Sequence, residues 1–379
     1  MMPKSMIQNS MINPFVFGRI VTGENFCPRR AEESALRSHL ASGRNTLILG
    51  PRRVGKSSLV FQACSRRPAP RLIYAQLWAV KSLEDFAGRL VRGISSSASK
   101  QSWFQRAGGL LASLRPKVEF DPQTGVPSLT IASGSVTSPR EIHTVFDALE
   151  SLYAGGRLVV ALDEFQDLAM LPDSDALMGE IRGRIQRQPG VTYLFAGSVR
   201  HRLEELFTAP SSPFFKAVEV LEVGGLDDAL FSDYLRKRFE SGRRRVDAAF
   251  LASVLGAADR IPSDVQQLCS SLWEVTGERR TLAAPDLDAA LARLIAGRRG
   301  TYESLVHPLT DIQMRVLRTV AKRGGHAPQS RDFLEESGVR LPASVKRALQ
   351  RLRTLEILYD DRGISRFFDP FFRTWLQTS

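Results

Sequence analysis

Residues 45–58 read NTLILGPRRVGKSS. An apolar run, 46–49, stops at Gly50, and from there the spacing Gly-x-x-x-x-Gly-Lys-Ser is met by Gly50, Gly55, Lys56 and Ser57. Glycines at those places let successive backbone N–H groups turn inward on a polyphosphate, the lysine meets the β and γ oxygens, and the serine hydroxyl ligates Mg²⁺. A strand ending at Gly50 and a helix opening near Lys56 aim the positive end of that helix at the same anion. Nucleotide-phosphate contacts are therefore expected from Gly50, Pro51, Arg52, Arg53, Val54, Gly55, Lys56, Ser57 and Ser58.

A second half-site follows downstream. Residues 158–162, LVVAL, form the continuous apolar run of a fully buried parallel strand, and they lead into Asp163-Glu164. At the carboxyl end of such a strand Asp163 can hold the hydration shell of Mg²⁺, and Glu164 can orient or deprotonate the attacking water. Taken alone, the pair would also suit a helix cap followed by a solvated acid; the phosphate loop upstream decides for chemistry. Residues 191–196, VTYLFA, make a third buried strand ending in Gly197-Ser198. A polar residue at that tip is where a γ-phosphate would be sensed, so Ser198, with Arg200 close by, is the candidate beside the plainer reading of a turn-forming serine. The catalytic set is thus Glu164, Lys56 and Ser198, and the metal set Ser57 and Asp163.

Around these strands the chain alternates. Residues 26–43 keep Phe26, Leu36 and Leu40 at helical spacing and offer Gly43 as a stop. A helix over 56–64 ends before Pro68 and Pro70, and RLIYAQL at 71–77 reads as a strand. Ser82 and Asp85 cap a helix running to about residue 94, and a helix over 139–153 stops at Gly155-Gly156. A basic helix over 176–188 and a last strand over 218–223 complete one doubly wound α/β domain, residues 26–223. Within it, 93–139 changes to Ser, Gly and Pro and reads as an insertion, where KVEF and SLTI flank DPQTGVP as a surface hairpin. A mobile working loop and a passive elaboration both fit it. Residues 1–25 form an N-terminal arm expected to pack across this domain.

After Gly224-Gly225 the pattern is helical only, over 227–240, 247–255, 263–276 and 286–296, a bundle (224–300) of the kind that covers a nucleotide as a lid. Arg243, Arg244 and Arg245, in a connecting turn, read as a solvated corner rather than a DNA contact. In 301–379, helices over 310–322, 329–336 and 344–356 precede a hairpin turning at Arg362-Gly363, which makes a winged helix-turn-helix. On the third helix Val345, Ala348, Leu349 and Leu352 make the buried stripe. Lys346, Arg347, Gln350, Arg351 and Arg353 face outward, fit for DNA phosphates and base edges. Asp360 and Asp361 on the wing would repel phosphates, so a protein partner stands as the alternative to DNA.

The 379 residues are 43% apolar, enough for full cores, and the net charge of +12 suits a polyanionic partner or simply a solvated basic surface. Cys27, Cys64 and Cys269 are too far apart for a disulfide framework or zinc knuckle, and the histidines are equally scattered. No apolar run nears the roughly 18–20 residues of a membrane span, and the N-terminus lacks the apolar segment of a secretory leader. No membrane partner and a cytoplasmic location are expected.

With these parts in view, the chain resembles AAA+ ATPases related to the origin-recognition type, and more closely the prokaryotic ATPases grouped with the STAND regulators. FCPRRAEESAL is similar to that group's Phe-x-x-Arg-x-x-Glu entry helix and places Arg29 and Glu32 on its positions. GPRRVGKSSL and LVVALDEFQDL resemble its Walker A and Walker B motifs, and AGSVR its sensor strand. Residues 260–268 are similar to its Gly-x-Pro lid helix, whose proline nears the nucleotide; Pro262 carries that role, with Arg260 where the glycine would be. The resemblance implies an α/β P-loop NTPase followed by an α-helical lid and a C-terminal winged helix, binding ATP/ADP and Mg²⁺ and hydrolysing ATP slowly or on stimulation by a partner. It also implies a nucleotide-controlled switch acting on DNA or docking protein. A finger arginine from a neighbouring subunit of a homo-oligomer is expected, with Arg182, Arg184, Arg187 and Arg202 as undistinguished candidates.

Overall fold

The computed structural model describes residues 12–65, 70–97, 115–120, 127–132, 136–151, 157–198, 200–277, 280–361 and 363–378. Contacts divide them into two compact units, Ile20–Gly224 and a second formed by residues 12–19 with Gly225–Ser379.

The first unit is built on five parallel strands: β1 (Thr46–Leu49), β2 (Arg71–Gln76), β5 (Leu158–Asp163), β6 (Val191–Gly197) and β7 (Glu219–Glu222), in the order β2-β5-β6-β1-β7. The three inner strands are buried along their whole length, which is why they read as continuous apolar runs rather than alternating ones. Their side chains still divide by parity. Ile48, Val159, Ala161, Leu194 and Ala196 face α1 (Arg30–Ala41) and α2 (Lys56–Ser65). Leu47, Leu49, Val160, Leu162, Tyr193 and Phe195 face α3 (Leu83–Ser97), α4 (His143–Ser151) and α5 (Ser174–Arg187). Asp163, the last residue of β5, and Ser198, just past β6, continue the first parity, so both fall on the side of α2.

The doubly wound reading holds, with several local differences. α3 runs to Ser97, into the stretch read as insertion, because Gly93 belongs to the helix: a Cβ there would stand 2.6 Å from the Tyr74 carbonyl oxygen of β2. The hairpin is present as β3 (Pro116–Phe120) and β4 (Pro127–Ile131), antiparallel with Val118 opposite Leu129. The expected stop at Gly155-Gly156 lies outside the described residues. A helix that the sequence reading left out, α6 (Arg200–Thr208), follows β6. Leu203 and Phe207 anchor it, and Phe207 joins Phe165, Phe195 and Phe214 in an aromatic cluster with centroids 4.8–5.7 Å apart.

In the second unit, α7 (Asp228–Ser241), α8 (Ala248–Ala257), α9 (Pro262–Thr276) and α10 (Ala284–Val306) form the bundle. Asp227 and Asp247 cap α7 and α8 through their side chains, and Pro262 opens α9 at a position that needs no N–H donor. Arg260, where a glycine was expected by resemblance, does take φ +58, and its guanidinium holds Asp228. Arg244 is not a solvated corner: it is buried, stacks 3.7 Å from the Trp273 ring and donates to the Trp273 and Gly277 carbonyls. The arm also differs from expectation. Residues 12–19 group with this unit, since Phe15 is buried against Phe239 and Trp273 and Asn13 bonds Ser270.

The winged helix consists of α11 (Asp311–Arg323), α12 (Arg331–Ser337), α13 (Pro342–Thr354), the antiparallel pair β8 (Leu358–Asp361) and β9 (Ile364–Phe367), and a further helix, α14 (Pro370–Thr378). α10 runs ten residues past the end of its sequence reading, from 296 to Val306, and crosses the expected boundary at residue 300. Its Arg298 and Tyr302 both reach Asp369, just ahead of α14, at 3.0 Å. Among the described residues, no helix is long and apolar enough to cross a membrane.

Candidate active site

The phosphate loop leaves β1 at Gly50 and enters α2 at Lys56. Gly50 is required by packing, because a Cβ there would lie 2.2 Å from the Val223 carbonyl oxygen; Gly55 is required by its φ of +96. Arg53 also takes a left-handed φ of +67, which turns the loop's backbone between the two glycines. Lys56 Nζ donates to the carbonyls of Gly50 and Pro51, both at 2.9 Å, so the lysine spans the mouth of its own loop. Burial pushes its ammonium pKa down, while the charges of Glu164 and Asp163 push it back up. The loop is braced from behind by Arg29, which is buried and donates to the Val54 carbonyl at 2.6 Å and to Glu32 at 3.2 Å. Ser58 accepts from the Val21 amide, fastening the chain's entry segment to α2.

Because β6 lies between β1 and β5, the acidic pair stands two strands from the phosphate loop, roughly 10 Å across the sheet, with the tip of β6 between them. Asp163, 5% exposed, closes that gap from one side: its Oδ2 accepts from Ser57 Oγ at 2.6 Å and from the Tyr74 hydroxyl at 2.5 Å. Two hard oxygen donors in contact, Ser57 and Asp163, suit Mg²⁺, which fills its remaining positions with waters and phosphate oxygens. Among the described residues there is no cluster of three or more His, Cys, Asp or Glu that would compete as a metal site.

Glu164 takes φ 55 and ψ 45, a left-handed turn between β5 and the short 3-10 turn Phe165–Met170. Such a conformation costs an acidic residue of order 1–3 kcal/mol, and here it swings the side chain toward β6. Its Oε2 accepts from the Ser198 amide at 3.2 Å, the Ser198 hydroxyl at 3.0 Å and Gln166 Nε2 at 2.6 Å. Ser198 Oγ accepts in turn from Arg52 Nε of the phosphate loop at 3.3 Å. The sequence-derived candidates Lys56, Ser57, Asp163, Glu164 and Ser198 are therefore brought together, with Arg52 joined to them. Tyr74 and Gln166 were not foreseen. Tyr74 sat unremarked in a strand, and Gln166 carries no signal beyond its place two residues after Glu164. Burial first, then Asp163, pushes the Tyr74 hydroxyl pKa up, so it is a donor throughout the working range.

Solved structures share this architecture. A Walker-type ATPase of Pyrococcus abyssi superposes with a TM-score of 0.64 at 20% identity, over 93% of this chain and 97% of that one. The ORC1 protein of Aeropyrum pernix, solved in complex with DNA, gives 0.51 at 16% identity over 94% of both chains. The ORC2 protein of the same organism, solved as ADPNP–ADP complexes, gives 0.52 at 15% identity over 93% of this chain and 94% of that one. A probable winged helix domain is matched over residues 300–378. The chain has the fold of the origin-recognition type of P-loop ATPase. No curated protein matches it in sequence.

In that ATPase fold the remaining candidates separate by environment. On α13 the side chains of Lys346, Arg347, Gln350 and Arg351 are exposed and have no hydrogen-bond or ion-pair partner among the described residues, two i,i+4 pairs on one face. Arg353 is committed elsewhere, to Asp360 at 2.7 Å and Ser365 at 3.1 Å, and ties α13 to the wing. Asp361 is likewise paired, with Arg366 at 2.6 Å, so the wing acids are neutralised by neighbours and weigh less against a phosphate partner than their sequence suggested. Arg182 donates to the Pro213 carbonyl and Arg184 to Asp147, contacts that pack α5, while Arg187 is exposed. The side chain of Arg202 and that of Arg200 lie outside the described residues. Pro262 belongs to the second unit, at the start of α9.

Proposed function

We propose that the protein is an Mg²⁺-dependent ATPase whose nucleotide state controls the C-terminal winged helix. The observation that carries this reading is the meeting of Ser57 and Asp163 at the foot of the phosphate loop, with Glu164 beside Ser198 at the tip of the intervening strand. Gly50 to Ser58 would receive the phosphates, with Lys56 exchanging the Gly50 and Pro51 carbonyls for β and γ oxygens. Ser57 and Asp163 would hold Mg²⁺, whose chemistry when bound is to neutralise charge on those oxygens. Glu164 would take a proton from the attacking water as the bond from the γ-phosphorus to the bridging oxygen breaks, giving ADP and phosphate. Ser198 would report the γ-phosphate to Glu164, and Pro262 would approach the nucleotide from the lid. A cytoplasmic homo-oligomer supplying a finger arginine completes the reading.

DNA is the partner favoured for the winged helix. The exposed basic face of α13 supports it, as does the DNA complex of the Aeropyrum ORC1 neighbour. Protein docking is a second reading, favoured by one observation: Leu341, directly before α13, is 63% exposed at the end of the helix that would meet a DNA groove first.

Glu164→Gln tests the catalytic assignment. The variant should retain ATP and lose at least about 100-fold in phosphate release, the usual range for a general base. Turnover at the wild-type rate would remove Glu164 from the role.

A further inference from the structure

Of the two strands flanking β5, β6 brings Ser198 to the site and β2 brings Tyr74, to which no motif assigns a task. β2 and β5 are parallel, with Tyr74 opposite Ala161 and Gln76 opposite Asp163. Tyr74 therefore lies one side-chain repeat behind the aspartate on the face of the sheet that meets α2. The Phe61 ring of α2 packs edge-on against it, centroids 5.1 Å apart, and directs the phenol along the sheet. The backbone is fixed as well, because Gly93 of α3 crosses so close to the Tyr74 carbonyl that no Cβ fits between them. The side chain is half-buried, and its hydroxyl donates to Asp163 Oδ2 at 2.5 Å.

A carboxylate oxygen offers two lone-pair directions. On Oδ2 both are taken, one by Ser57 and one by Tyr74; Oδ1 takes the Glu164 amide at 3.0 Å and keeps one direction open. The three donors come from three different elements and together fix the plane of the carboxylate, whose terminal torsion is otherwise broad. Ser57 is itself a metal donor, and the Glu164 amide is local. Among the described residues, Tyr74 is thus the one anchor of the carboxylate that comes from outside the two motifs.

We infer that Tyr74 is a positioning residue for the divalent-metal site, holding Asp163 so that its open lone pair faces a metal-bound water. The inference rests on the Mg²⁺–nucleotide reading above. Partners of this kind, hydrogen-bonded to a metal-site carboxylate, are commonly worth about 10–100-fold in metal affinity.

Tyr74→Phe keeps the ring against Phe61 and removes only the hydroxyl. Free Mn²⁺, counted by electron paramagnetic resonance, measures metal binding to the full chain in the presence of ADP. The variant should bind Mn²⁺ about 10-fold more weakly. ADP affinity in EDTA should stay at its wild-type value, which a general disturbance of the phosphate loop would not allow. Mn²⁺ binding equal to or tighter than that of the wild type overturns the assignment of Tyr74. Failure of the wild type itself to bind Mn²⁺ with ADP overturns the parent reading instead.

Discussion

Asp163 takes donors from Ser57, Tyr74 and the Glu164 amide, and Arg29 holds the loop that Ser57 follows. These side chains are fixed by bonds that cross elements, so each can be removed singly. Arg29→Ala would leave the buried Val54 carbonyl without its donor and empty the space of a long side chain. A loss of about 1–3 kcal/mol in unfolding free energy is expected, with weaker nucleotide binding because the loop loses its brace. Denaturant unfolding and a nucleotide titration check the two effects together. The cysteines give a pH prediction. Burial pushes the thiols of Cys27 and Cys64 up to about 12, against an ordinary value near 8.5. The folded state therefore keeps protons that the unfolded chain releases. This contribution to stability is complete below about pH 8.5 and is lost as pH rises toward 12. At pH 8 a thiol reagent should label neither cysteine in the native protein and both after denaturation.

At the scale of elements, the strands that carry the site were legible because burial on both faces leaves an unmistakable apolar run: 46–49, 158–162 and 191–196 all became strands within a residue. The phosphate loop and the acidic pair were legible for the same reason, since their residue types are dictated by chemistry at fixed offsets. What escaped was set by packing between distant segments. Gly93 reads in sequence as the start of the insertion and is instead where α3 crosses β2; Gly93→Ala would force a Cβ to 2.6 Å from a backbone oxygen. Overpacking of that kind costs about 1–3 kcal/mol, so the variant should melt several degrees lower, and scanning calorimetry would read it. Tyr74 escaped because nothing in RLIYAQL tells which neighbour its hydroxyl meets. α6 escaped because its first turn, Arg-His-Arg, has no apolar period, and only Leu203 and Phe207 bind it to the aromatic cluster. The far end of α10 escaped because its second half is polar and reaches Asp369 through Arg298 and Tyr302.

At the scale of the molecule, the winged helix is joined to the preceding bundle by that same Asp369 cluster and by Arg373 with Asp259 at 2.5 Å. Bundle and winged helix form one unit, together with residues 12–19 of the arm. A nucleotide that repositions the bundle would then carry α13 with it, and this is the physical content of the proposed switch. Coupling free energies between two sites are typically about 1–3 kcal/mol, or 5–150-fold in affinity. The most direct test is a DNA-binding titration of the full chain at several salt concentrations, with ADP in one series and a non-hydrolysable ATP analogue in the other. Affinities should differ at least about 5-fold between the nucleotide states and fall with salt as phosphate contacts are screened. Equal affinity in the two states, or no binding above background in either, would contradict the proposed switch.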